Sequence, residues 1–414
     1  MTAPAPGAAA PAVAGLAARA ARALERPGAW FWLALLLGAL LRAWLVVATE
    51  GSFDVAIKRV HGHSVNTWGV LGAYARSELL NHPPSMARVF AGFDSLAQAT
   101  GLPFRALWRA PFAALDLATA LLALRLLRGF RFRFALVAAY WLHPLTLIFS
   151  AYHGNTDSAV AFFALLSMAG VAAARPGLAG MALGLGLCVK LPALVAAPAL
   201  CLALARWRER ALFVACALVV GALGALPELA QDPGLLWRRI VAYPGTSVVT
   251  PRGVAVWGIW YALRSASTPL AEAARAHNTL LCMLPIVALA WLRRGQSDAR
   301  ALGTTLAASF AILYGTTSYW AFQYLAWSLP FWLFVDPRVA APLSALLAAY
   351  VWGVYALYTG SPWLLGRWDF VRHAPWPPLL TLLRDASVLG CFLVGWGTLA
   401  RALLLRRRRA AARA

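Results

Sequence analysis

Acidic residues are scarce: 15 Asp and Glu stand against 37 Lys and Arg in 414 residues, for a formal net charge of +22. Charge of either sign is thin, 13% of the chain against 61% hydrophobic residues, which leaves too little polar surface to coat soluble domains of this total length. The solvent such a chain is built for is lipid. Cysteine is also sparse. Cys188, Cys201, Cys216, Cys282 and Cys391 all lie inside apolar segments, without metal-ligand spacing and without pairing in a loop, which argues against a disulfide framework or a cysteine-bound metal. There is no fixed-period repeat, and no low-complexity linker or soluble domain beyond the two termini.

What is present is a recurring apolar pattern. Stretches such as 30–49, 211–226, 339–357 and 386–400 approach the length that crosses a hydrocarbon core of about 30 Å. They read as helices, because only helices and closed barrels satisfy their backbone groups in lipid. The predicted fold class is therefore all-α, a polytopic transmembrane bundle of about 11–13 spans with short helices in its outer loops. Residues 1–29, rich in Ala, Pro and Arg, read as a cytoplasmic tail before a retained anchor, since the following span lacks a small-residue cleavage site. Residues 30–400 form the membrane domain, and 401–414 form a basic cytoplasmic tail.

The positive charge would suit a nucleic-acid partner, but the arginines cluster between apolar runs and act instead as topology signals. Arg19, Arg22 and Arg26, then Arg125 to Arg133, Arg206 to Arg210, Arg293 with Arg294, and Arg406 to Arg409 belong on the cytoplasmic side. The segments 50–107, 151–157, 227–275, 316–322 and 359–378 then face outward, with helix-like stretches at 86–99 and 230–242. Parity makes the apolar run 177–205 enter and leave on one side, although it is too short for two full spans. A broken hairpin bending near Lys190-Leu191-Pro192 solves this, because proline interrupts the helix there. Trp108, Trp237, Trp257, Trp260, Trp363, Trp368 and Trp376 sit near the expected interfaces and read as aromatic belts.

The polar residues concentrate in the outer loops. Asp54, in Gly51-Ser52-Phe53-Asp54, is a candidate general base for an acceptor hydroxyl; its structural alternative is a solvated acid paired with Lys58 or Arg59 at helical spacing. His61 and His63 have no further ligands spaced for a closed metal site, and His82 lies in a rigid Asn81-His82-Pro83-Pro84 turn. Tyr152-His153-Gly154-Asn155-Thr156-Asp157 makes a polar floor between two apolar helices, with Thr156 or Asp157 placed to cap the second of them. Asp116 and Lys190 fall inside predicted spans, where an unpaired charge costs about 2.5–3.5 kcal/mol. Asp116 is expected to pair with an arginine, and Lys190 to meet an anionic phosphate from the bend. Arg238, Tyr243 and Arg252 are placed either to clamp a lipid phosphate or to snorkel to headgroups, and Gln323 with Tyr324 opens a helix on the cavity side.

Together these segments, scattered over roughly 50–330, resemble the GT-C glycosyltransferases, multispanning enzymes that use polyprenyl-phosphate sugars on the extracytoplasmic face. Asp54 looks like that superfamily's catalytic base, and Asn81-His82-Pro83-Pro84 like its Tyr-Pro-Pro turn. His153-Gly154-Asn155-Thr156-Asp157 is similar to the His-Gly-Gln-x-Asp element of the dolichyl-phosphoglucose-dependent glucosyltransferases, and Lys190 to their lysine-containing hairpin. Gln323-Tyr324-Leu325-Ala326-Trp327 resembles an element of the first mannosyltransferase of GPI-anchor assembly. Many members carry two acids in the first loop, whereas Ser52-Phe53-Asp54 has one, with Glu50 and Asp94 the nearest others, which favours a mechanism without a bound cation over a metal-bridged donor.

The resemblance implies a hexosyltransferase, for mannose or glucose, working by inverting single displacement from a polyprenyl-phosphate donor to a lipid-linked glycan, lipid or protein acceptor. Asp54 would be the base, Lys190 and Arg252 would stabilise the departing phosphate, and His82, His153, Asn155, Asp157, Tyr243, Gln323 and Tyr324 would contact substrate. No cofactor and no nucleic acid is expected. The implied location is a bacterial inner membrane, with the site outside and both termini in the cytoplasm. A secondary transporter or lipid flippase, or a non-catalytic scaffold of a glycan assembly system, is the alternative class.

Overall fold

In the computed structural model the described residues are 23–243, 256–258, 268–369 and 376–412. They are helical, with an isolated bridge between Ser52 and Trp368 as their β pairing. The first helices are α1 (Ala29–Ala48), α2 (Phe53–Arg76), α3 (Pro84–Thr100), α4 (Phe104–Leu126) and α5 (Arg133–Trp141). A bent continuation, α6 (Pro144–His153), is followed by α7 (Asp157–Ala172) and α8 (Pro176–Val189). Proline opens α3, α6 and α8 because its fixed φ suits the first helical turn, where its missing N–H has no partner to lose.

Four helices, 29–48, 104–126, 337–359 and 378–408, are long and apolar enough to cross a membrane, and up to six segments are if each bent pair counts as one span. That count among the described residues is below the sequence-based expectation of about a dozen. Other apolar stretches fold as shorter helices, 157–172, 176–189 and 191–203, each cut by a glycine, a proline or a polar turn.

The first long loop is folded. Helices α2 and α3 lie against each other, Gly62 so close to the Phe90 carbonyl that a Cβ would sit 2.4 Å from it. Beneath them Trp108 is fully buried among Phe90, Phe93, Phe104 and Phe112, with ring centroids 4.9–6.1 Å away. Trp108, Trp257 and Trp368 are thus core residues, not belt residues, whereas Trp237 and Trp363 are exposed. Trp260 lies outside the described residues. Asp116 pairs as expected with an arginine: Arg42 of α1 reaches it at 3.0 Å, with Ser150 donating to the same carboxylate.

The bend at Lys190 is real. Its backbone is extended at φ −166° and ψ 138°, ending α8 before a 3-10 turn, Leu191–Ala196, and a short helix, α9 (Ala197–Ala203). The next helix, α10 (Trp207–Leu223), runs parallel to α8, since Gly180 faces Phe213, Gly184 faces Ala217 and Cys188 bonds the Val220 carbonyl. Because α8 and α10 lie parallel, the connection 190–206, which contains α9, must travel back along their length. The 3-10 turn helps it do so, rising about 2.0 Å per residue against about 1.5 Å in an α-helix.

Candidate active site

The site forms where the ends of α1, α6 and α8 meet the starts of α2 and α7. Leu147–His153 is π-helical, and Gly154, left-handed at φ 69°, turns the chain sharply before α7. A Cβ at Gly154 would stand 2.5 Å from Arg109 Cγ, so only glycine fits. Arg109, fully buried, donates to the carbonyls of Val46, Thr49 and Tyr152 and so ties the end of α1 to the end of α6. Ser52 Oγ donates to the His153 carbonyl at 2.7 Å, and Trp108 Nε1 to the Gly154 carbonyl. These clamps set Asp54, two residues after Ser52, beside the His153 ring.

Asp54 Oδ2 lies 3.0 Å from His153 Nε2 and accepts from Asn155 Nδ2 at 3.4 Å. On the other side of the imidazole, Nδ1 is 2.6 Å from the Tyr355 hydroxyl. A proton on Nε2 serves the carboxylate contact, and the Tyr355 hydroxyl meets the ring at Nδ1. Tyr355 is itself held by the Trp368 ring, stacked at 4.9 Å and 16°, and the Trp368 backbone brackets Gly51 and Phe53. His153 is completely buried, while the Asp54 side chain keeps 28% exposure. The carboxylate is therefore the end of the chain that can meet another molecule.

Burial alone would raise the Asp54 pKa. The His153 hydrogen bond and charge, followed by the charges of Lys58 and Lys190, outweigh it and hold the carboxyl well below the usual carboxylate range. Asp54 is fully ionised at neutral pH.

Next to this chain, Lys190 Nζ bonds both oxygens of Asp157, at 3.0 and 3.2 Å, and Trp327 Nε1 donates to the same carboxylate. The ammonium also lies over the faces of Tyr324 and Trp327, 5.1 and 5.7 Å from their centroids. Asp157 thus takes Lys190 as its partner, and neither it nor Thr156 makes a side-chain cap at the start of α7. Thr156 Oγ1 instead approaches His82 Nε2 at 3.4 Å.

The structure brings Asp54, His82, His153, Asn155, Asp157, Lys190 and Tyr324 into one neighbourhood. Tyr243 is half-buried at the end of the described segment 23–243. Gln323 is half-buried and has no hydrogen bond to this group among the described residues, while Arg252 lies outside them. His61 and His63 point apart: His61 is buried against Ser77, whereas the His63 side chain is 71% exposed beside Asp94. Among the described residues no group of three His, Cys, Asp or Glu side chains is placed to hold a metal ion.

Sequence reasoning missed Tyr355, a tyrosine in an otherwise apolar helix, Pro337–Thr359, whose hydroxyl needs a partner when buried. It treated Lys58 only as a surface partner for Asp54, yet Lys58 is just 7% exposed. Burial pushes its ammonium down to about 8, against the pull of Asp54. No protein-family model matches the chain, and no curated protein has a matching sequence.

Proposed function

We propose that the protein is an integral-membrane glycosyltransferase of the GT-C type, moving a hexose from a polyprenyl-phosphate carrier to an acceptor hydroxyl outside the cytoplasm. The observation that carries the reading is the Tyr355, His153 and Asp54 chain, ending on a partly exposed carboxylate within the electrostatic reach of two lysines. A base for the acceptor and cations for a leaving phosphate are what such a transfer needs together.

In the proposed reaction the acceptor oxygen attacks the anomeric carbon, its proton passes to Asp54, and the bond from that carbon to the phosphate oxygen breaks. The electron pair leaves with the phosphate. A single displacement inverts the anomeric centre. His153 and Asn155 orient the carboxylate so that its other oxygen faces the acceptor. The mannose or glucose identity of the sugar, the roughly dozen spans, and an inner-membrane location with the site outward belong to the same proposal.

The test uses purified protein in nanodiscs with synthetic prenyl-phosphate mannose or glucose, following release of free prenyl phosphate. Asp54→Asn is expected to lower transfer by about 10²–10⁴-fold, the usual contribution of a general base. Retained activity removes Asp54 from that role. The hairpin broken at Lys190 also suits a transporter, which would move the lipid without cleaving it; donor-dependent release of free prenyl phosphate separates the two.

A further inference from the structure

Lys190, the cation that sequence placement offers for an anion, is already taken, with both oxygens of a fully buried Asp157 on it. A different cation in the same neighbourhood has no such partner. Lys58 stands one helical turn after Asp54, is 93% removed from solvent by its 7% exposure, and has no hydrogen bond or ion pair among the described residues. Its ammonium lies over the Phe90 ring, 5.4 Å from the centroid. Asp54 and Asp157 act on this charge only from a distance, and burying an ammonium without a hydrogen-bond acceptor is costly; a chain free to place Met or Leu there would avoid the cost. The cost is understandable if an anion completes the site.

One neighbour fits that use. The His82 ring packs against Phe90 in an edge arrangement at 5.2 Å, is 3% exposed, and its Nδ1 has no partner among the described residues. With the Thr156 hydroxyl donating to the other His82 nitrogen, 3.4 Å away, Nδ1 carries the single ring proton. An ammonium and an imidazole held neutral by burial supply donors from different directions. Several peripheral oxygens on one phosphorus match that arrangement better than the planar pair of a carboxylate.

We propose that Lys58, with His82, forms the anion subsite of this protein, and that its ligand is the phosphate group of a phosphate ester. The carrier's identity as a prenyl phosphate rests on the transferase reading; the subsite does not. One consequence follows from spacing. Lys58 is among the charges that keep Asp54 a weak proton acceptor, so a phosphate engaging Lys58 cancels part of that influence. The carboxylate becomes a better base when the anion is in place.

The experiment measures binding to the full chain in phosphatidylcholine nanodiscs at pH 7, with three probes: a short-chain prenyl monophosphate, the corresponding prenyl alcohol, and inorganic phosphate. Lys58→Gln is expected to weaken both phosphates by about 10- to 100-fold, the range for a charge-assisted hydrogen bond, and to leave the alcohol unchanged, with Lys58→Arg retaining most of the affinity. Without ligand, Lys58→Met is expected to melt no lower than wild type, since it removes a buried ammonium that has no hydrogen-bond acceptor among the described residues. Unchanged phosphate binding in Lys58→Gln, with sugar transfer still observed, overturns the subsite and leaves the transferase standing. Lys58-dependent phosphate binding without transfer from any prenyl-phosphate hexose does the reverse. A Lys58→Met variant that melts well below wild type also overturns the subsite, because it marks Lys58 as a structural residue.

Discussion

Tyr355 and His153 lie 202 positions apart in the chain and share a 2.6 Å contact from the phenol oxygen to Nδ1. This contact assigns the two imidazole nitrogens their tasks. With the hydroxyl on Nδ1, the other nitrogen faces Asp54, and a carboxylate that would otherwise rotate is fixed.

Tyr355→Phe removes the hydroxyl and keeps the ring stacked on Trp368. Transfer is expected to fall about 10- to 100-fold, in turnover more than in donor KM, with the acid limb of the pH profile displaced. A merely structural tyrosine would leave the pH profile where it was, so an unshifted profile with a lowered melting temperature counts against the positioning role.

Asp157 and Lys190 form an ion pair at 3.0 Å, with the carboxylate fully buried and the ammonium largely so. Asp157→Leu is expected to cost about 3–5 kcal/mol, because it strands a largely buried ammonium, while the double change Asp157→Leu with Lys190→Met restores much of the loss. Thermal unfolding of the single and double variants in one detergent gives the coupling directly. Additive losses would show that the two side chains act independently.

Acid sensitivity is set in part by His61 and His82. Burial, followed by the charge of Lys58, pushes His61 down to about 4, and burial with Lys58, Lys190 and His61 holds His82 well below its usual value. Both folded values lie below the unfolded value of about 6.5, so their contribution is full above that pH and is lost as pH falls toward about 4. Melting temperatures read from pH 7 down to 4 should decline over this window in wild type and decline less in His82→Gln. Parallel curves would remove His82 from the account.

The residues that break regular structure were legible in the chain. Pro144, Gly154 and Pro192 mark the turns where the observed helices end or begin, and the helix expected at 86–99 is found as Pro84–Thr100. The same held for the grouping of Asp54 with His153, Asn155, Asp157 and Lys190, since these polar residues stand at the ends of apolar runs. Partner choice was not legible. Lys190 was expected to be open to a ligand and is bound to Asp157, whereas Lys58, expected at the surface, is buried and unpaired among the described residues.

By itself the sequence determined the apolar runs long enough to cross a membrane, the helical class and the places where helices stop. Those properties follow from hydropathy summed over a window and from the backbone limits of proline and glycine, both of which are local. Only the tertiary structure decided that Arg42 meets Asp116, that Tyr355 orients His153, and which of two lysines takes a carboxylate directly. Pairing of that kind depends on which helix faces come within about 4 Å of each other. Residues 202 positions apart carry no local trace of that contact.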